Sequence, residues 1–259
     1  MEKSYERFLG FADLYDEGRP NLPGKALEIL KRYIKCNIDL IVDIGCGTGN
    51  STKICANYAN RVIGIEPSED MLKKAKEKEK ENDKLTFKKG LGNNTGLESN
   101  VADIVICSQA FHWMEPTSTI SEVSRILKKG GVFAVIDADW LPVIDLRLEK
   151  LNKDLRILTM NLEKDEDTVI YPQTQHLNNL ITSNEFQFCR EICFDVEFEY
   201  DKERFKKFIL SKSNIQKAIR NNYKPVRDIL ENLDNTLDEI FKGQTLNALF
   251  SYKMKIGIK

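Results

Sequence analysis

A strand that runs directly into a glycine turn constrains the fold of this chain more than any other feature. Residues 40–50 read Leu-Ile-Val-Asp-Ile-Gly-Cys-Gly-Thr-Gly-Asn. The apolar run predicts a buried parallel strand, and the glycines predict a turn in which backbone comes unusually close to a ligand. Asn50-Ser51-Thr52 then offers a helix start with exposed N–H groups. Strand, glycine turn and helix together indicate the nucleotide-binding corner of a doubly wound sheet.

The spacing of the glycines narrows the choice of nucleotide. A dinucleotide fingerprint that starts at Gly45 needs its third glycine at position 50, which is Asn50, and no G-x-x-x-x-G-K-[ST] phosphate loop is present. The pattern Asp43-x-Gly45-x-Gly47-x-Gly49 instead resembles motif I of the class I S-adenosylmethionine-dependent methyltransferases, and of the methyltransferase type 11-like group in particular. This resemblance implies S-adenosyl-L-methionine as the cofactor.

Later apolar runs follow the motif in the order that this family shows. Strands are predicted at 61–66, 85–90, 101–107 and 131–137, and half-buried strands of period two at 192–200 and 250–258. We therefore predict an α/β fold with a doubly wound, Rossmann-like sheet of seven strands. The sheet should be mostly parallel with an antiparallel last strand, and helical insertions should lie over its C-terminal edge.

The predicted organisation is one large domain with an insertion. We expect a cofactor-binding core with an N-terminal lid over residues 1–139 and a helical cap over 140–185. Residues 186–259 should supply the closing strands and helices of the same domain. An apolar stripe over 226–241 predicts a single helix between the last two strands.

The resemblance places the donor site around the first two strands. Asp43 should draw in the cofactor's positively charged amino group, and Gly45, Cys46, Gly47 and Gly49 should let the backbone approach it. An acid at the tip of the second strand can accept hydrogen bonds from vicinal ribose hydroxyls. That acid is Glu66, which indicates a ribose without specifying the cofactor, since NAD enzymes use the same arrangement.

The adenine end of the site is less like the family pattern. Pro67 and Met71 follow Glu66, and the resemblance implies that Met71 lies against adenine, although packing in the core is an equal alternative. After the third strand the family has an acidic or polar residue that reads the adenine amino group. This chain has Leu91, Gly92 and Asn93 there, which shifts the adenine contact to backbone N–H groups or to Asn93.

The segment after the fourth strand should hold the methionine end and the reacting methyl group. Ser108 and Gln109 are predicted to present backbone groups to the methionine end of the cofactor. His112 is the candidate catalytic residue, because a histidine there could orient or deprotonate an acceptor. The alternative is that His112 and Trp113 form a wall of the pocket, and Trp113 is also a candidate substrate contact.

A proline-rich loop near the N-terminus is a candidate lid. Tyr15-Asp-Glu-Gly-Arg19-Pro20-Asn-Leu-Pro23 resembles a stretch found in the trans-aconitate methyltransferase-like branch of small-molecule methyltransferases. Two prolines stiffen the loop, and Tyr15 or Arg19 could contact the methionine carboxylate or an acidic substrate. The alternative is that the prolines only interrupt the chain before the next helix.

Composition limits the partners and the compartment. The chain has 39 basic and 40 acidic residues and a formal net charge of -1, so a general attraction to nucleic acid or to anionic membranes is not expected. It contains no apolar run of 18 residues and no apolar N-terminal signal. Six scattered cysteines and two histidines predict reduced thiols in a cytoplasmic protein, and no metal site.

These observations predict an enzyme that methylates a small molecule, with a carboxylate or a hydroxyl group as the acceptor, by in-line displacement. Methylation of a protein or RNA by the same fold is an alternative. A second alternative is a non-catalytic protein that binds S-adenosylmethionine. The chain does not specify whether the protein is a monomer or a homodimer.

Overall fold

The computed structural model describes residues 12–35, 37–160 and 169–259, which form two compact units. Unit 1 takes the described residues of Met1–Pro20, Asp139–Thr168 and Asp195–Ser251. Unit 2 takes those of Asn21–Ala138, Val169–Phe194 and Tyr252–Lys259. Each unit is therefore assembled from three separate stretches of the chain. The predicted division at 139/140 and 185/186 stays a prediction.

Seven strands form one mixed sheet. They are β1 (Leu40–Ile44), β2 (Arg61–Glu66), β3 (Leu85–Lys89), β4 (Ala102–Ser108), β5 (Leu127–Ala138), β6 (Phe188–Tyr200) and β7 (Leu246–Ile258). Their order is β3-β2-β1-β4-β5-β7-β6. The first five strands pair in parallel, and β7 runs antiparallel to β5. The predicted fold class is confirmed.

Helices connect the strands in the described part of the chain. They are α1 (Ala12–Gly18), α2 (Gly24–Lys31), α3 (Asn50–Cys55), α4 (Glu69–Lys78), α5 (Pro116–Ile126), α6 (Leu146–Thr159), α7 (His176–Thr182), α8 (Lys202–Leu210), α9 (Ser213–Arg220), α10 (Lys224–Glu231) and α11 (Leu233–Phe241). Short 3-10 helices span Phe111–Trp113 and Gln173–Gln175. Within the described residues, none of the helices has the length and apolar character needed to cross a bilayer.

The central strands are buried on both faces. All five residues of β1 are buried, and Ala102–Cys107 of β4 are buried as well. Alternate side chains such as Val42, Val105 and Phe133 share one apolar cluster with residues of α5. Because successive strand residues point to opposite faces, burial of every residue means that both faces of these strands are covered. The continuous apolar runs in the sequence have this physical origin.

Four elements differ from their predicted bounds, one helix and three strands. The stripe over 226–241 forms two helices, because the N–H of Asn232 bonds to the carbonyl of Ile229 and closes α10 before α11 begins. Asparagine favours such helix ends, since its short polar side chain competes with helical hydrogen bonds. The strands β5, β6 and β7 each begin four residues before their predicted starts at 131, 192 and 250.

Candidate active site

The glycine turn after β1 has the backbone conformation that its sequence predicts. Gly45, Gly47 and Gly49 have φ angles of +73°, +55° and +87°, a region that residues with a side chain rarely adopt. A Cβ atom added at Gly47 would meet only Sδ of Met71, at 3.6 Å. The turn therefore leaves the backbone at Gly47 uncrowded, beside a methionine that is itself buried.

Asp43 lies fully buried at the carboxyl end of β1. Its Oδ2 atom accepts hydrogen bonds from the hydroxyl groups of Ser51, at 2.6 Å, and Thr52, at 2.7 Å. Its Oδ1 atom is buried and has no hydrogen-bond partner in the part of the chain that the structure describes. Burial raises the pKa of Asp43 to about 6, although the two hydroxyl groups oppose this shift. This carboxylate can accept a further donor, and a cationic donor would favour its charged form.

Glu66 connects the glycine turn to the start of α4. Its carboxylate accepts the backbone N–H of Gly47 through Oε2 and that of Ser68 through Oε1, both at 2.9 Å. Burial raises the pKa of Glu66, and the two backbone N–H groups act in the opposite direction. Each carboxylate oxygen has a second lone pair, so the group can still accept bonds from a ligand. Glu66 therefore has a structural role in the turn, and its contact with a ribose stays a prediction.

The segment after β3 forms a tight turn that projects an apolar side chain. Leu91 and Asn94 exchange backbone hydrogen bonds of 3.1 Å and 3.0 Å, and the side chain of Leu91 is exposed. A Cβ atom added at Gly92 would lie 2.7 Å from Sδ of Met114, so this position requires glycine unless Met114 moves. The amide of Asn93 donates to Oγ of Ser118, at 3.4 Å. The adenine contact predicted for this turn stays a prediction.

Gln109 follows β4 in an unusual conformation. Its φ angle is +56°, in the left-handed region, and its N–H donates to the carbonyl of Ile136 at 2.9 Å. Both polar atoms of its side-chain amide are buried and lack a hydrogen-bond partner. A left-handed residue other than glycine costs on the order of 1–3 kcal/mol and is found most often at functional sites. Ser108, the last residue of β4, is half-buried beside it.

A buried charge network at the end of β5 was not predicted from the sequence. Asp137 accepts hydrogen bonds from Nζ of Lys255, at 2.8 Å, and from Nδ1 of His176, at 3.2 Å. Burial raises the pKa of Asp137, but His176 and Lys255 outweigh it and hold the pKa below its ordinary value. The sequence feature that could have indicated this network is an acidic residue at the end of an apolar strand, the same feature that indicated Asp43.

Unsatisfied polar atoms recur along one edge of unit 2. Among the described residues, no hydrogen-bond partner reaches three buried groups at or just beyond the carboxyl ends of β1, β4 and β5: Oδ1 of Asp43, the amide of Gln109 and Oδ1 of Asp137. These strands are neighbours in the sheet. Buried polar groups are normally paired, and open α/β sheets bind ligands at this edge. The arrangement therefore has the character of a ligand-binding site.

His112 and Trp113 lie in the 3-10 helix beside Gln109. Their ring centroids are 4.8 Å apart, and the carbonyl of His112 accepts the N–H of Tyr171 at 2.9 Å. The ring of Phe111 meets that of His176 edge-on, with centroids 4.9 Å apart. These contacts hold the helix against the segment 171–176. The base and wall hypotheses for His112 both remain predictions.

The candidate lid residues belong to unit 1. Tyr15 is part of α1, and its side chain lies outside the described residues. The guanidinium of Arg19 donates to Oγ of Ser211, at 3.3 Å, and to its carbonyl, at 3.1 Å. It also lies 4.6 Å from the centroid of the Trp140 ring. Contact of either residue with a ligand stays a prediction.

The cysteines that the structure describes form no disulfide bond. The five described cysteines are free thiols, and burial raises the pKa of Cys46, Cys55 and Cys107 well above the ordinary value. Cys36 lies outside the described residues. Across 12–35, 37–160 and 169–259, no group of three or more His, Cys, Asp or Glu side chains is arranged to hold a metal ion.

Comparison with known proteins relates the middle of the chain to methyltransferases. Residues 42–135 match a family described as a methyltransferase domain. The chain is 33% identical over 124 residues to a probable S-adenosylmethionine-dependent methyltransferase, CRG1, of Saccharomyces cerevisiae. That match covers 46% of this chain and 43% of the yeast protein, and the chain spans about half the length of the curated relatives it matches. Residues 42–135 therefore resemble a methyltransferase domain, and the relatives that align with this stretch include one named as a methyltransferase that depends on S-adenosylmethionine.

Solved structures share the fold. A protein of Anaeromyxobacter dehalogenans described as a type II methyltransferase superposes with a TM-score of 0.69 at 20% identity, over 93% of this chain and 97% of that one. Phosphoethanolamine N-methyltransferase 2 of Haemonchus contortus, solved with S-adenosylhomocysteine, gives 0.57 at 17% identity over 96% of this chain and 57% of that one. Both similarities support the architecture of the sheet and its helices.

Proposed function

We propose that the protein transfers the methyl group of S-adenosylmethionine to a small-molecule acceptor. The observation that carries this proposal is the glycine turn braced by Glu66, beside buried polar atoms of Asp43 and Gln109 that have no protein partner. Bound S-adenosylmethionine would supply a methyl group already activated by the positive charge on sulfur. The protein's task is then to bind and orient two ligands.

The residues of unit 2 fit such a donor. The unpartnered Oδ1 atom of Asp43 suits the ammonium of the methionine end, and the remaining lone pairs of Glu66 suit two ribose hydroxyl groups. Gly47 would allow the ligand to approach its backbone, beside Sδ of Met71. The unpaired amide of Gln109 can both donate and accept, which suits a zwitterionic group.

The transfer itself needs alignment more than acid–base chemistry. An in-line displacement requires the acceptor atom and the methyl carbon to be held roughly 3 Å apart with water excluded. A base is required only if the acceptor must lose a proton, and His112 is the candidate for that role. We propose an acceptor with a carboxylate or a hydroxyl group. The near-zero net charge of the chain supports a small molecule over RNA.

Calorimetric titration with S-adenosylhomocysteine tests the donor site, and NAD serves as the control because it also presents a ribose and an adenine. Micromolar binding of S-adenosylhomocysteine without binding of NAD is the expected result. Failure to bind S-adenosylhomocysteine would overturn the proposal. Transfer of a labelled methyl group to a panel of small acids and alcohols then tests the acceptor. Binding without transfer to any acceptor, protein and RNA included, would favour a non-catalytic binding protein.

A further inference from the structure

The buried network of Asp137, His176 and Lys255 leaves two acceptor atoms unused. Nζ of Lys255 and Nδ1 of His176 both approach the same oxygen of Asp137, Oδ2. Oδ1 of Asp137 and Nε2 of His176 are buried, and no hydrogen-bond partner reaches either atom among the residues that the structure describes. Buried polar atoms are normally paired. These two atoms therefore suit a hydrogen-bond donor that belongs to a ligand.

Asp137 determines which nitrogen of His176 carries the hydrogen. Although burial raises the pKa of Asp137, His176 and Lys255 outweigh it and hold the pKa below its ordinary value. The carboxylate is therefore ionised at neutral pH and can only accept hydrogen bonds. Nδ1 of His176 must then carry the hydrogen that it donates to Oδ2, over 3.2 Å. In the neutral ring, Nε2 has a free lone pair and can accept a hydrogen bond or a proton.

The charges around His176 are compatible with the uptake of a proton. Asp137 and Lys255 form a buried ion pair, and the solvent-exposed Glu191 lies 3.8 Å from the ammonium of Lys255. Two carboxylates and one ammonium group give a net charge of −1 beside a neutral ring, and of zero when the ring is an imidazolium. The network can therefore accept a proton without leaving an uncompensated positive charge in the interior.

Strand register places these atoms next to the buried amide of Gln109. The N–H of Gln109 bonds to the carbonyl of Ile136, the residue before Asp137, at 2.9 Å. Phe111, two residues after Gln109, meets the ring of His176 edge-on. His176 directly follows the largely exposed stretch 169–175, so it lies at the end of the sheet and not in its middle. The two acceptor atoms thus lie at the edge where open α/β sheets bind their ligands.

We propose that the methyl acceptor is a hydroxyl group whose proton passes to Nε2 of His176. Unpaired acceptor atoms require a ligand with a hydrogen-bond donor, whereas a carboxylate would bring only further lone pairs. An ammonium group would bring donors, but the ammonium of Lys255, 2.8 Å from Asp137, would repel it. The inference rests on the proposed function and narrows its acceptor from a carboxylate or a hydroxyl group to a hydroxyl group.

The transfer step conserves atoms and charge. As the hydroxyl oxygen forms its bond to the methyl carbon, its O–H bond breaks and the proton moves to Nε2. The bond between sulfur and the methyl carbon breaks, and its electron pair stays on sulfur, which gives S-adenosylhomocysteine and a methyl ether. The imidazolium of His176 is stabilised by Asp137 and later returns its proton to water. The role of base then belongs to His176 and not to His112.

Nitrogen NMR tests the tautomer of His176 without any acceptor. The chain has only two histidines, so the variant His112→Gln assigns the remaining ring signals to His176. At neutral pH we expect a protonated Nδ1 and an Nε2 without hydrogen. A protonated Nε2 would overturn the proposal, because the atom could then accept neither a hydrogen bond nor a proton.

Transfer from labelled S-adenosylmethionine to matched acceptors tests the choice of group. Benzyl alcohol, benzoate and benzylamine share one ring, and hexanol, hexanoate and hexylamine share one chain. Transfer to each alcohol should be at least tenfold faster than to the acid or the amine of its set. Transfer to the alcohols that is no faster would overturn the proposal. Calorimetry with S-adenosylhomocysteine reports separately on the donor site, and a failure to bind there would be a failure of the proposed function itself.

The variant His176→Gln separates catalysis from binding. Glutamine can accept a hydrogen bond but not a proton, so kcat for the alcohol should fall roughly hundredfold, with little change in KM or in affinity for S-adenosylhomocysteine. Asn178→Gln is the control, because Asn178 is exposed on the same helix and should leave kcat unchanged. An unchanged kcat in His176→Gln would overturn the role of His176. The NMR and acceptor measurements keep His176 intact, so they decide the proposal even if this variant fails to fold.

Discussion

Asp43 shows how strongly burial changes the chemistry of a single residue. Its carboxylate has two hydroxyl donors on one oxygen and none on the other, and burial raises its pKa to about 6. Compared with the unfolded chain, the folded protein therefore favours the protonated form of Asp43. Without a ligand, the folded protein should become less stable as the pH rises from 3.8, the ordinary pKa of an aspartate, to about 6, the pKa of buried Asp43. A cationic ligand would instead favour the ionised form of Asp43.

Donor affinity should consequently depend on pH. If the ammonium of S-adenosylhomocysteine binds ionised Asp43, its dissociation constant should be about tenfold larger at pH 5 than at pH 7.5, because only about a tenth of a carboxyl group with a pKa of about 6 is ionised at pH 5. Glu66, whose pKa is also raised, acts in the same direction. Calorimetry at the two pH values measures the effect. The variant Asp43→Asn should bind more weakly and with a flatter pH profile; an unchanged profile would remove Asp43 from the site.

Glu66 should contribute strongly to donor binding. Glu66→Ala removes a carboxylate that braces Gly47 and Ser68 and is proposed to accept ribose hydroxyl groups. We expect a loss of about 2 kcal/mol in affinity for S-adenosylhomocysteine, typical for a charge-assisted contact. Glu69→Ala is the control, because Glu69 is exposed and pairs with Lys89. Equal affinities in the two variants would contradict the ribose role.

Gly47 tests whether the turn is a binding surface. Gly47→Val should abolish binding of S-adenosylhomocysteine in a protein that still folds, because its Cβ would meet only Met71, at 3.6 Å. The positive φ angle should cost on the order of 1–3 kcal/mol of stability. Gly96→Val is the matched control, since Gly96 also has a positive φ and an added Cβ there meets nothing within 4 Å. Circular dichroism and calorimetry on both variants separate strain from lost binding.

At the scale of elements, β5 and β7 are joined by more than their ladder of hydrogen bonds. Lys255 of β7 pairs with Asp137 of β5, and His176 at the start of α7 pairs with the same oxygen. All three residues are buried. Removing one member of such a network leaves a buried charge without its partner, which is more costly than removing both.

Lys255→Met should therefore destabilise the protein by about 3–5 kcal/mol in urea unfolding. The double variant Asp137→Asn with Lys255→Met should recover much of that loss, because no buried charge then lacks its partner; Glu191, the second carboxylate near Lys255 at 3.8 Å, is exposed to solvent. Lys253→Met is the control, since Lys253 is exposed on the same strand, and it should change stability by less than about 0.5 kcal/mol. A loss in Lys255→Met as small as in the control would show that the ion pair contributes little.

At the scale of the whole molecule, charge balance limits the partners. With 39 basic and 40 acidic residues, the chain has little long-range attraction for a polyanion. Fluorescence polarisation with labelled transfer RNA and duplex DNA at physiological salt should detect no binding tighter than about 100 µM. Submicromolar binding of RNA would favour a nucleic-acid acceptor over a small molecule.

The sequence by itself determined the class of fold and predicted where the donor site lies. Buried parallel strands require continuous apolar runs, and left-handed turns require glycine, so β1, its glycine turn and β2 with Glu66 can be read from neighbouring residues. Local patterns of this kind do not depend on how distant parts of the chain meet.

Only the tertiary structure decided which side chains meet across the chain. Asp137 bonds to residues 39 and 118 positions away, and Lys212 bonds to Asn152 across 60 positions. The break between α10 and α11 was hidden for a related reason, because the apolar stripe continues across Asn232. The spacing of apolar residues along the sequence predicts which face of a helix or strand is buried. The partners of a buried charge depend on strand register and helix placement, which the folded chain alone establishes.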